Sequence, residues 1–323
     1  MAGADVMAED QRQPKPVNQS LLTVLIAFLA NLLIAIAKSV AAVITSSASM
    51  LAEAAHSWAD AGNEILLLIA DRRSDRRRDS RHPMGFGREA YVWSMFAAFG
   101  LFTAGAVVSI WHGVQELIKP EEASNYLVAY VVLAIAFVLE GVSFTQATIQ
   151  ARRLAAVRDS SVANLVLNTS NPTLRAVFFE DAAALIGIGI AAVGVALHQA
   201  TGSVIPDAIG SILVGVLLAV VAVVLIDRNR RFLVGEVVRP EVRQRVLHDL
   251  LARPDIDRIT YLHLEYVGPG RLYLVASVDM AGDDVEHSLA VRLRQVEGEL
   301  EQQEGIEEAV LTLATPDEVS LLP

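Results

Sequence analysis

Six stretches of this 323-residue chain each have the length of a bilayer crossing: residues 21–44, 50–70, 90–118, 126–149, 174–197 and 204–226. A helix rises about 1.5 Å per residue, so roughly 20 mostly apolar residues cross a hydrocarbon core. Lipid offers nothing to hydrogen-bond a bare backbone, so segments of this kind fold as helices. With 53% hydrophobic residues and a mean hydropathy of +0.44, the chain has more apolar surface than a soluble domain usually hides. The expected fold class is an α-helical membrane protein with six transmembrane helices across residues 21–232. Residues 1–20 are polar, contain proline and set no apolar core ahead of Leu21. They are expected to form a cytosolic N-terminal segment, with the first helix directing insertion.

Arginine and lysine are enriched in cytoplasmic loops, and their distribution here is one-sided. Arg12 and Lys15 precede the first span, seven arginines (72, 73, 76, 77, 78, 81 and 88) follow the second, Arg152, Arg153 and Arg158 follow the fourth, and Arg228, Arg230 and Arg231 follow the sixth. The opposite loops, "TSSAS", "KPEEASN" and "HQATGS", hold one lysine. Both termini and every even loop are therefore expected in the cytoplasm, with the plasma (inner) membrane as the expected location. The arginine block serves as a topology anchor, with lipid headgroups as further contacts.

Residues 233–323 read as a separate cytosolic domain. From Arg239 onward there are 17 acidic and 8 basic residues, so about -9 of the total charge of -11 lies in the tail. Its pattern is helix (240–251), strand (258–266), a "GPG" turn (268–270), strand (272–278), helix (285–303) and strand (308–314). That order predicts a small two-layer α+β unit of ferredoxin-like kind.

The chain has no cysteine, which excludes disulfides and thiolate metal sites; a transition metal would have only nitrogen and oxygen ligands. Within the second span, "AEAAHSWADAGNE" puts His56 and Asp60 on one helical face, with Glu53 a turn before and Asn63 a turn after. Ionisable groups in a bilayer are costly and mark functional positions, although a hydrogen bond between helices is the plainer reading of one such pair. Other spans repeat the feature: Glu180 and Asp181 in "VFFEDAAALIG", and Glu140 in "AFVLEGVSF". Asp60 is about ten residues, and Asp181 about eight, from the cytoplasmic ends of their spans, depths that agree within a few ångströms. Imidazole and carboxylates at one level suit tetrahedral Zn²⁺, and they also accept Mn²⁺, Fe²⁺ or Co²⁺. Lys38 in the first span pairs with a carboxylate or snorkels.

The stretches "SASMLAEAAHSWADAGNE" and "RHPMGFGREAYVWSMFAAFGLFTAGAVVSIWHGVQEL" closely resemble the cation diffusion facilitator family of divalent-metal transporters. The likeness extends to the loop at His82–Glu89, the acidic start of the sixth span at Asp207, and the tail. It implies a homodimer in the lipid bilayer that exports divalent metal from the cytosol in exchange for protons, with metal held between spans two and five. His56, Asp60, Glu180 and Asp181 are then the ligand set, with Asn63 and Glu140 as further donors. Asp279 and His287 match positions where the family often places cytosolic ligands.

One departure stands out. Zinc members commonly repeat His-x-x-x-Asp in span five, and if Asp181 matches that aspartate, Val177 stands where the histidine would be. Glu180 is the obvious substitute, although adjacent helical residues point about 100° apart. Zn²⁺ export is the leading expectation, with a Mn²⁺, Fe²⁺ or Co²⁺ exporter and a non-transporting membrane metal sensor or scaffold as alternatives. Enzymatic chemistry is not expected, because no nucleophile or phosphate-cradling motif accompanies the site. No resident cofactor and no nucleic-acid partner are expected.

Overall fold

The computed structural model describes residues 21–120, 125–157, 160–282 and 285–322. The N-terminal segment 1–20 and Arg158 lie outside the described residues. The helices run α1 (Leu21–Thr45), α2 (Ala48–Ser74), α3 (Glu89–Ile118, with a π turn at Ala98–Phe102), α4 (Tyr126–Val157), the short α5 (Val162–Asn168), α6 (Pro172–Thr201) and α7 (Ile205–Val234). Then come α8 (Pro240–Leu251), β1 (Ile256–Gly268), β2 (Arg271–Met280), α9 (Glu286–Glu301) and β3 (Ile306–Leu313).

Among the described residues, five helices are long and apolar enough to cross a membrane: α1, α3, α4, α6 and α7. The remaining long helix, α2, covers the expected span 50–70 but carries Glu53, His56, Asp60, Asn63 and Glu64 along its length. Its polar content, not its length, sets it apart. Large apolar side chains such as Leu127, Ile135, Val138 and Val142 face outward on α4, as a lipid-facing helix requires.

The chain divides into two compact units. In the helical unit, α6 starts sharply because Asn171 accepts from the N–H groups of Thr173 and Leu174 and Pro172 fills the first turn, and it stops at Gly202, whose φ of 68° suits a residue without Cβ. Helices α3 and α7 pack through small residues. The Ser211 hydroxyl donates to the Ser109 carbonyl (2.8 Å), a Cβ on Gly113 would sit 2.7 Å from the Ala208 oxygen, and one on Gly215 would sit 2.6 Å from the Ile110 side chain. In lipid, where apolar burial gives no preference for protein over solvent, such close backbone approach holds helices together.

The second unit joins residues Arg72–Ala90 to Arg231 onward. Strands β1 and β2 pair antiparallel around a turn at Gly270 (φ 67°), and β2 pairs parallel with β3 through α9, giving a mixed three-stranded sheet in the order β1-β2-β3. Alternate residues Leu272, Leu274, Ala276, Val278 and Met280 of β2 are buried, and they pack with Val246, Leu247 and Leu250 of α8 and Val296 and Leu300 of α9. Each of the larger aliphatic side chains among them contributes about 1.5–3 kcal/mol on burial, enough for a core of its own. The arginine-rich segment belongs to this unit: Arg88 pairs with Glu265, Arg78 with Glu301 (3.3 Å), and Arg271 with Asp75 (2.9 Å). Gly87 lets its backbone lie against β1, since a Cβ there would meet the Val267 oxygen at 2.6 Å.

Candidate metal centre

The polar stripe of α2 is met by partners from three other helices. Nearest the start of the helix, the Ala48 N–H (2.7 Å) and the Ser47 hydroxyl (2.9 Å) donate to Asp207 of α7, as does the Ser49 hydroxyl. Asp207 therefore caps α2, placing a carboxylate against the positive end of its dipole. One turn further, the buried Lys38 ammonium of α1 pairs with Glu53 at 2.8 Å. Then come His56 and Asp60, whose Nε2 and Oδ2 are 3.4 Å apart. At the next turn the Asn63 amide donates to both oxygens of Glu180 on α6, at 2.6 and 2.7 Å. The adjacent Glu64 accepts from Asn31 of α1 at 2.8 Å.

Glu180 and Asp181 diverge, as neighbours on a helix must. Glu180 turns to Asn63 on α2, whereas Asp181 accepts from the Ser143 hydroxyl of α4 at 2.7 Å. Glu140, half-buried on α4, lies with Glu180 and Asp181 within electrostatic reach of Asp60. Among the described residues, no three His, Asp or Glu side chains are gathered closely enough to hold one ion; each acidic group of α6 has a neutral donor of its own. Both ring nitrogens of His56 and Oδ1 of Asp60 are buried without a hydrogen-bond partner. Buried polar atoms in that condition are rare and costly, so these atoms are available for another ligand.

Val177 packs against the apolar cluster that includes Ala59, Leu67, Phe102 and Leu218. In the second unit, Asp279 is held by Arg258 at 2.7 Å, and His287 is exposed in the first turn of α9. In the loop, Asp79 accepts from the His82 ring (2.9 Å) and from the His82 and Arg81 N–H groups, and these bonds hold its carboxyl below the usual carboxylate range. Gly85 has φ 68°, which makes this segment a shaped turn.

Sequence reasoning missed the Asp207 cap, the Asn31–Glu64 contact and Ser143 as partner of Asp181. A signal for the α1 contacts was present, because Asn31 and Lys38 are seven residues apart in an apolar helix and so share a face.

A bundle of apolar helices with a buried imidazole and buried to half-buried carboxylates along one of them defines a polytopic membrane protein built around a polar, cation-compatible stripe. Residues 24–234 match the family described as the cation efflux transmembrane domain. A mouse protein named proton-coupled zinc antiporter SLC30A9, mitochondrial, is 34% identical over 265 residues, covering 82% of this chain and 47% of the relative. The human protein of the same name gives the same figures, and metal tolerance protein C4 of Arabidopsis thaliana is 36% identical over 241 residues, covering 75% and 53%. The chain belongs to the cation efflux family, the cation diffusion facilitators. It spans about half the length of the curated relatives it matches.

Proposed function

We propose that the chain is a divalent-cation/proton antiporter working by alternating access, with Zn²⁺ as its first cargo and His56, Asp60, Glu180 and Asp181 as its ligands. The observation that carries this reading is the His56–Asp60 pair, a buried imidazole beside a half-buried carboxylate, with both ring nitrogens and Asp60 Oδ1 free of hydrogen-bond partners, one turn from the Asn63–Glu180 contact between α2 and α6. Rotation of the α6 carboxylates from Asn63 and Ser143 toward His56 and Asp60 assembles an oxygen-rich set with one imidazole. Histidine binds a metal only when neutral and carboxylates only when ionised, so protons compete with cargo for the same groups. Lowering the pH therefore weakens cargo binding, and a pH difference across the membrane drives exchange when the bundle opens alternately to each side. The names of the relatives support zinc and proton coupling. Uptake of Zn²⁺ into vesicles containing the purified chain tests the proposal; binding without uptake would leave a sensor or scaffold in its place.

Metal preference turns on Val177. One imidazole among carboxylates discriminates weakly between Zn²⁺ and Mn²⁺ or Fe²⁺. Val177→His is expected to raise the affinity for Zn²⁺ relative to Mn²⁺, and Glu180→Gln is expected to matter less in that background, because donors to one ion act non-additively. Calorimetric titration of the four proteins measures the coupling; strict additivity would show that residue 177 serves only the apolar cluster.

The homodimer is also a proposal, with the second unit as a contact between copies and Asp279 and His287 as candidate cytosolic ligands. Residues 236–238 pair alongside β1, so a fragment beginning at Gly235 retains more of the sheet than one beginning at Arg239. Light scattering is expected to find that fragment dimeric, and a monomer at every concentration, with and without Zn²⁺, would contradict it.

A further inference from the structure

Beyond the four proposed ligands, on the side of His56 toward the start of α2, the structure holds a second pair of unused donor atoms. Glu53 is fully buried and three residues before His56, roughly 4.5 Å along the axis. One of its oxygens, Oε2, is bonded to Lys38, while Oε1 has no partner, and neither has Nδ1 of His56. Both face one spot on α6. A Cβ built on Gly187 would be 2.4 Å from Glu53 Oε1 and 3.7 Å from His56 Nδ1, so the Glu53 carboxylate takes up room that only a glycine at 187 leaves. The two nitrogens of His56 point in different directions: Nε2 is the one beside Asp60, and Nδ1 is the one toward Gly187.

We propose that Lys38 and Glu53 form a charge-exchange gate at the non-cytoplasmic end of the site, a reading that rests on the transport function proposed above. Cargo leaving Asp60 and His56 Nε2 next meets Glu53 Oε1 and His56 Nδ1 across Gly187. To take both oxygens of Glu53 it displaces the Lys38 ammonium. The displaced ammonium is not left alone in an apolar interior, since Lys38 also lies within electrostatic reach of Glu140 and Asp60. It therefore takes the place of the departing cation beside Asp60, and the buried charge stays balanced as cargo moves on. A purely structural ion pair explains the 2.8 Å contact and the glycine that makes room for the carboxylate, but leaves Glu53 Oε1 and His56 Nδ1 without a role.

The test separates a gate from a brace. In the double variant Lys38→Glu/Glu53→Lys the pair is kept and the carboxylate moves to α1. A gate predicts a folded protein whose Zn²⁺ flux into vesicles falls by about tenfold or more, whereas a brace predicts parental flux, which would overturn the proposal. Because a reversed pair can fail to fold, Glu53→Asp is measured alongside it. Drawing the carboxylate back by one methylene should cost flux by about tenfold, while calorimetric Zn²⁺ affinity changes by less than about threefold. Unchanged flux in Glu53→Asp overturns the gate whatever the swap does. A parent protein that binds Zn²⁺ and moves none overturns the transport reading itself, and a transporting parent with a fully active Glu53→Asp variant overturns the gate alone.

Discussion

Replacing Asp60 by alanine is expected to remove divalent-cation flux while leaving the yield of folded protein intact. Asp60 Oδ2 lies 3.4 Å from His56 Nε2, and the carboxylate faces Glu140, Glu180 and Asp181 electrostatically. Loss of a partner that merely orients a ligand already costs about 10–100-fold in metal affinity, so loss of a ligand costs at least the upper end of that range. The fold does not depend on it in the same way. Oδ1 of Asp60 has no hydrogen-bond partner, so alanine relieves a desolvated carboxylate and orphans no donor. Flux in vesicles and size-exclusion yield, measured on the same preparation, check both halves. Preserved flux would remove Asp60 from the site, and loss of folded protein would make it structural.

Asp207→Ala is expected to do the reverse, lowering stability steeply. That carboxylate is buried and accepts from Ser47, Ala48 and Ser49 at the start of α2, so alanine removes the acceptor of three buried donors, leaves the two hydroxyls only their weak 3.4 Å contact with each other, and takes the cap from α2. Hydrogen bonds to charged groups are worth about 1.5–3 kcal/mol each, and the loss should reach about 3 kcal/mol or more. Asp207→Asn keeps an acceptor and should recover part of it. Thermal unfolding in detergent measures the series. An alanine variant as stable as the parent would mean that water satisfies the three donors and that the cap is dispensable.

The contrast between these residues shows what a linear sequence reveals. Asp60 was legible because its partner, His56, is one turn away and both interrupt an apolar run. The spans were legible for the same reason, since length and composition are local properties. The exception is instructive: α2 departs from the apolar pattern because Glu53, His56, Asp60, Asn63 and Glu64 lie along it. In the tail, the alternation of β2 and the glycine turn before it gave the element order. Long-range pairings were not legible. Asn63 and Glu180 are 117 residues apart, and Ser47 and Asp207 are 160 apart, and nothing in either helix's own periodicity chooses its partner. The arginine block read as a topology signal from its charge alone. Its ion pairs with Glu265 and Glu301, and the approach of Gly87 to β1, depend on where the tail folds.

The central claim is that one buried stripe binds a divalent cation and protons in competition and carries both across the membrane. The most direct test is simultaneous recording of Zn²⁺ and pH inside vesicles that contain the purified chain, with a proton gradient imposed in either direction. The account predicts that Zn²⁺ moves against the flow of protons, that reversing the gradient reverses the Zn²⁺ flux, and that Asp60→Ala abolishes both movements together. Zn²⁺ movement indifferent to the gradient, or proton movement that persists in Asp60→Ala, would contradict it.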